Sequence, residues 1–172
     1  MRILFVCTGN ICRSPTAERL AVAYGARLEL PAFTASSSGT RAVIGHAIHP
    51  EAAPVLEKLG GNASDFVARQ LTPRIASDSD FIVTMTRAHR DRVLELAPHR
   101  LHRTFTMNEA ALLITEHGAR TVADLAGLRP HLSARTLLDI PDPIGQGAEV
   151  FAAIGAQIAD LVPVILEICR AG

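Results

Sequence analysis

The chain opens MRILFVCTGNICRSP, in which an unbroken apolar run at residues 3–6 leads straight into Cys7. Such a run, with no polar alternation, fits a strand buried on both faces, as the strands of a parallel sheet are. Gly9 and Asn10 punctuate a loop after it. Ser14-Pro15 then reads as a helix start, with serine at the cap and proline at the first helical position. A strand, a short loop and a helix in that order commit the chain to a sheet that helices must cover. In such sheets ligands bind beyond the carboxyl ends of the strands, which is where Cys7 falls.

The rest of the sequence continues the alternation. Strands are predicted at residues 33–38, 81–85 and 101–107. Helices are predicted at 49–59, 72–77, 87–96 and 109–116, the first stopping at Gly60-Gly61. Residues 117–138 carry no decisive period. A long apolar-periodic stretch at 149–169 should form the closing helix, with Pro163 as a possible kink. No internal repeat or low-complexity linker divides the chain. The expectation is one three-layer α/β domain over residues 1–172, with a mostly parallel central sheet and helices on both faces.

Composition then narrows the partners. The formal net charge is zero, so no global basic field favours nucleic acid or an anionic membrane. One Tyr and no Trp argue against stacking on single-stranded bases. The three cysteines, Cys7, Cys12 and Cys169, lack zinc-ligand spacing. Their odd number, with no secretory segment read at the start, points to a reducing cytoplasm. The first apolar run is too short for a membrane span. His46 with His49, and His99 with His102, lack a third ligand at recognisable spacing, so no metal is expected.

Any anion site must therefore be local, and the opening stretch supplies one. The unpaired first turn of the helix and the loop N–H groups of Thr8 to Ser14 can converge on one anion. The helix dipole adds about half a positive charge, which also favours a thiolate at Cys7. Arg13 offers a planar fork for two phosphate oxygens. Ser14 can donate to the sulfur. Asn10 can brace the loop, and it tolerates left-handed backbone. Nucleophile, anion cradle and bidentate cation together suit covalent phosphoryl transfer. The plainer alternative is a buried strand-end cysteine beside a surface arginine.

The pattern Cys7-Thr8-Gly9-Asn10-Ile11-Cys12-Arg13-Ser14-Pro15 resembles that of the low-molecular-weight protein tyrosine phosphatases, and the likeness covers most of the chain. The resemblance implies Cys7 as nucleophile, Arg13 as phosphate clamp and Asp142, in Asp142-Pro143, as general acid and base. Asp139 competes for that last role. Ser37-Ser38-Gly39-Thr40 resembles the segment that braces the phosphate loop, and Arg69-Gln70-Leu71 follows in family order. By the same resemblance Cys12 would trap oxidised Cys7 as a reversible disulfide; packing beneath the loop is the other reading.

The family's aromatic pocket walls are replaced here by Val43 and Ile144, and its histidine before Ala-Arg-Gln by Phe66. Met85-Thr86 with His89, and residues 104–109, look like a bacterial branch acting on phosphoarginine. That branch carries threonine where this chain has Ile11, and the apolar Ile11 favours an aryl ester. The expected substrate is a phosphotyrosyl protein; phosphoarginine is the alternative. Arsenate reductases of this loop type need relay cysteines that residues 13–168 lack. A non-catalytic phosphate binder would need neither nucleophile nor acid. The implied enzyme uses no cofactor, and nothing demands a dimer.

Overall fold

A computed structural model describes residues 1–132 and 138–170. Its four described strands are β1 (Arg2–Cys7), β2 (Thr34–Gly39), β3 (Phe81–Thr84) and β4 (Thr104–Thr106). They form one parallel sheet in the order β2-β1-β3-β4. The helices are α1 (Arg13–Arg27), α2 (Ala52–Lys58), α3 (Pro73–Ser77), α4 (Arg87–Leu96), α5 (Met107–Thr115), α6 (Val122–Leu128) and α7 (Ala148–Leu166).

Strand periodicity explains the layering. Along β1, Ile3 and Phe5 point to one face, and Leu4 and Val6 to the other, all buried. The first pair joins Phe81, Val83 and Phe105 in the larger core, with apolar residues of α1, α2, α5 and α7. The second pair joins Ile82, Leu71, Ala76 of α3 and Val93 of α4 in a smaller core. The three-layer expectation is met. β1 sits in the interior of the sheet, which is why its sequence is apolar and buried from Ile3 onward, while the edge strand β2 reads TASSSG.

Register places the chemistry. Cys7 pairs with Gly39 at the carboxyl end of both strands. Beyond that row the chain leaves β1 for the loop and leaves β2 for residues 40–45. An alanine Cβ at Gly39 would stand 2.4 Å from the Thr8 carbonyl oxygen and 3.0 Å from Ala42. Only glycine lets these two backbones approach so closely.

Three expectations change. α1 begins at Arg13, with Cys12 at its cap position and no side-chain cap. Ser14 does not cap because its hydroxyl is engaged by Cys7 and Asn10. The predicted strand 101–107 shrinks to β4, because Pro98–Arg103 winds into a 3-10 turn, with Pro98 setting its first dihedral. Within 117–138, α6 forms behind a capping box of Thr121 and Asp124. Its one fully buried residue is Leu125, too little apolar face to leave a period in the sequence. Residues 133–137 of that stretch lie outside the described ones.

The closing helix appears as expected, with Pro163 inside it. With its 3-10 extension it spans Ala148–Cys169, and its mean hydropathy of 1.8 would let it cross a membrane by length and composition alone. Here Ile154, Ile158, Val162 and Ile165 instead fill the core against α1, α2 and α5.

One buried charge ties β4 to its surroundings. Glu109, 2% exposed, closes the Thr106 capping box and faces Arg90 at 3.2 Å and Arg129 at 3.4 Å. Removing one member of a buried ion group strands the others, at a cost of about 3–5 kcal/mol. Both arginines are partly solvated, so Glu109→Ala is expected to cost roughly 2–4 kcal/mol, read as a lower urea midpoint with an unchanged slope.

Candidate active site

The loop after β1 is built inside out. Its carbonyls are taken from behind: the N–H of Thr40 donates to Cys7 O (2.9 Å), of Arg41 to Thr8 O (2.9 Å), of Val43 to Gly9 O (2.9 Å) and of His49 to Ile11 O (2.7 Å). The N–H groups of Gly9, Ile11, Cys12 and Arg13 have no acceptor among the described residues. A ring of free donors at the start of a helix is an anion cradle.

Asn10 holds that shape. It is fully buried, and its φ of +55° is the left-handed turn that lets the loop curl back. Its side-chain amide donates to Ser14 Oγ (3.0 Å) and Ser37 Oγ (2.8 Å), and its oxygen accepts from the Arg69 N–H (2.8 Å). Its own N–H donates to Cys7 Sγ (3.3 Å). Ser37 in turn donates to Glu18 (2.5 Å), and Arg69 Nε donates to Ser37 O (2.8 Å). Gln70 accepts from Ala42 N–H (2.9 Å) and donates to Thr40 O (3.0 Å). The segment 37–40 thus braces the loop directly. Burial raises the Glu18 carboxyl above the usual range, against the lowering by Ser37.

Cys7 Sγ lies 3.0 Å from Ser14 Oγ. Arg13, 3% exposed, donates from Nη1 to Ile140 O (3.0 Å) and from Nη2 to Asp142 Oδ2 (2.5 Å). The arginine therefore anchors the Pro141–Pro143 turn over the loop, and Asp142 also accepts from Ile144 N–H (3.2 Å). Asp139 is committed elsewhere: it accepts from the Arg87 N–H at the start of α4 (2.9 Å).

These residues open on one cavity of about 420 Å³, lined by Cys7, Thr8, Gly9, Ile11, Cys12 and Arg13 below. Val43, Ile144, Asp142 and Arg41 form its rim. Arg41 escaped the sequence reading, since nothing but its place after Thr40 signals it. His89 also contacts the loop, at 2.9 Å from Thr8 Oγ1. Of the histidines singled out in the sequence, His49 stacks on Phe151 and His99 bonds Ser77.

A family model described as low molecular weight phosphotyrosine protein phosphatase matches residues 2–124. The chain belongs to this family. A putative low molecular weight protein-tyrosine-phosphatase of Klebsiella pneumoniae is 31% identical over 152 residues, 88% of this chain and 85% of that one. The probable low molecular weight protein-tyrosine-phosphatase AmsI of Erwinia amylovora is 42% identical over 96 residues. That match covers 56% of this chain, and spans only 63% of AmsI.

Among solved structures, the low molecular weight protein tyrosine phosphatase from T. tengcongensis aligns with a TM-score of 0.78 at 28% identity, covering 97% of this chain and 98% of that one. The YwlE arginine phosphatase from Geobacillus stearothermophilus aligns at 0.76 and 28% identity, covering 98% and 92%. The family-model match ends before Asp142, so the place of that residue in the cavity rests on geometry.

The two other thiols differ from Cys7 in setting. Burial, reinforced by the nearby Cys7, pushes the Cys12 thiol up to about 12, and burial takes Cys169 to about 11. Both stay protonated near neutral pH and are poor nucleophiles. Brief iodoacetamide treatment of the folded protein at pH 7 should leave Cys12 and Cys169 unmodified by mass spectrometry; alkylated Cys12 would contradict the assignment. Gly39→Ala, which drives a methyl into the backbone of the loop after β1, should lower stability by about 1–3 kcal/mol in the same urea assay.

Proposed function

We propose that this chain is a cysteine-dependent protein phosphatase acting on phosphotyrosine. The observation that carries the reading is one cavity holding a thiol, a ring of free N–H donors, a buried arginine and a half-exposed carboxyl. Cys7 Sγ attacks phosphorus as the phosphoester P–O bond breaks. Arg13 and the loop amides take the equatorial oxygens, where charge accumulates in the transition state. Asp142 gives its proton to the departing tyrosyl oxygen. Water then attacks the phosphocysteine, Asp142 accepts its proton, and the P–S bond breaks with Ser14 donating to the leaving sulfur. No cofactor enters any step.

Thr8, Gly9, Asn10, Ile11, Cys12, Arg13 and Ser14 form the phosphate-binding loop in this scheme. Ile11, Val43 and Ile144 are the walls for the substrate side chain; Val43 and Ile144 are 38% and 44% exposed. These aliphatic faces favour an apolar ring over a guanidinium, whose N–H groups would lose their partners on burial. The Cys12 thiol, held protonated, is ill suited to rapid capture of an oxidised Cys7, so packing beneath the loop is its favoured role. The chain works as a cytoplasmic monomer and one catalytic domain on phosphorylated proteins.

Phosphate release from matched phosphotyrosyl and phosphoarginyl peptides tests the substrate assignment. Wild type should prefer phosphotyrosine, and Ile11→Thr should shift the ratio toward phosphoarginine; strong phosphoarginine turnover by wild type would overturn it. Cys7→Ser should abolish turnover while retaining phosphate binding. Asp142→Asn keeps an acceptor for Arg13 but cannot supply a proton. It should lower kcat by roughly 10²–10³-fold, most for poor leaving groups. Full activity of Cys7→Ser would end the scheme.

A further inference from the structure

The phosphate loop touches one buried titratable side chain that the scheme above leaves idle. His89, in the first turn of α4, is 6% exposed. Its Nε2 lies 2.9 Å from Thr8 Oγ1, and its Nδ1 lies 2.9 Å from Thr86 Oγ1. Thr86 is the cap of α4 and also accepts from the His89 backbone N–H (3.2 Å). The imidazole thus bridges the helix cap and the phosphate loop.

Burial first, then the Arg13 charge, pushes the imidazolium down to about 4, although Asp142 and Asp139 act in the opposite direction. The ring is therefore neutral near pH 7, with one nitrogen donating and the other accepting. Two hydrogen patterns fit the distances. If Nδ1 carries the hydrogen, Thr86 Oγ1 accepts twice and its own hydrogen finds no acceptor among the described residues. Thr8 then spends its hydrogen on the ring. If Nε2 carries it, Thr86 donates to Nδ1, His89 donates to Thr8, and the Thr8 hydrogen is left over. Each pattern leaves one hydroxyl hydrogen over, that of Thr86 in the first and that of Thr8 in the second. A leftover donor costs least where an acceptor can reach it, and Thr8 lines the cavity while Thr86 does not, which favours the second.

We propose that His89 is a positioning residue: held as the Nε2–H tautomer between Thr86 and Thr8, it makes the Thr8 hydroxyl a dedicated donor to a phosphoryl oxygen in the cavity. This rests on the phosphatase reading given above. The hydroxyl would join the loop amides and Arg13, with its hydrogen already aimed before the substrate arrives, as preorganised donors are.

Long-range 1H–15N NMR of the wild-type imidazole reads the tautomer without any turnover. A protonated Nε2 with a bare Nδ1 is expected, both alone and with inorganic phosphate; the Nδ1–H form, or rapid averaging of the two, overturns the proposal. Kinetics with para-nitrophenyl phosphate supply the second arm. His89→Phe, which keeps the ring shape without a donor, and Thr8→Val should each lower kcat/KM about tenfold, one hydrogen bond's worth. Both should raise the Ki for inorganic phosphate. The double variant should be no worse than either single one. His89→Gln, whose amide N–H can reach Thr8, should recover to within about threefold. Additive losses, or a Gln variant as impaired as Phe, would refute it. Absence of any turnover by wild type would refute the phosphatase reading instead, with the NMR result still standing.

Discussion

A single buried amide holds the candidate site together. Asn10 makes its hydrogen bonds to residues far apart in sequence, Ser14, Ser37 and Arg69, while its backbone N–H turns to the Cys7 sulfur. Without it the Arg69 N–H would lose its acceptor, and an unsatisfied buried polar group costs about 1–3 kcal/mol, while the Ser14 and Ser37 hydroxyls would keep only Cys7 and Glu18. The left-handed turn at Asn10 is strained for most side chains, and the network holds it. The consequence is a loop whose carbonyls face the protein and whose N–H groups face the ligand.

Charge is handled with similar restraint. Arg13 is almost wholly buried, and an isolated guanidinium there would be costly. Ile140 O and Asp142 offset that cost by accepting from both Nη atoms. The same pair positions the segment carrying Asp142, so the cation proposed to clamp an anion also sets where the proposed proton donor stands. Asp139, three residues earlier, serves a different end, holding the first N–H of α4.

Much of this was legible in the sequence, for identifiable reasons. β1 declared itself because a central parallel strand must be apolar on both faces. The Cys7-to-Pro15 stretch declared the loop because glycine, asparagine and arginine at those places have few other joint uses. The start of α1 misread, because Ser14 looks like a helix cap and is instead drawn inward by Cys7 and Asn10. α6 was invisible, because a helix with one fully buried side chain leaves no period. Arg41 and His89 were missed as site residues because they reach the loop through tertiary placement: no motif marks Arg41, and the Met85-Thr86-to-His89 pattern spoke to the branch of the family and not to a contact with Thr8.

The pairing of Cys7 with Gly39 carries a further meaning. The carbonyls of Cys7, Thr8 and Gly9 are satisfied by the N–H groups of Thr40, Arg41 and Val43, which arrive when β2 docks beside β1. Before that long-range pairing forms, the segment from Cys7 to Arg13 is ordinary flexible chain with no converging donors. Affinity for an anion at the proposed cradle and β1–β2 docking would therefore draw on the same conformational free energy. An anion that recognises the cradle binds the folded chain alone, and by mass action it deepens the native well. The loop is in that sense a sensor of its own sheet: it acquires a ligand only once the topology beneath it is complete.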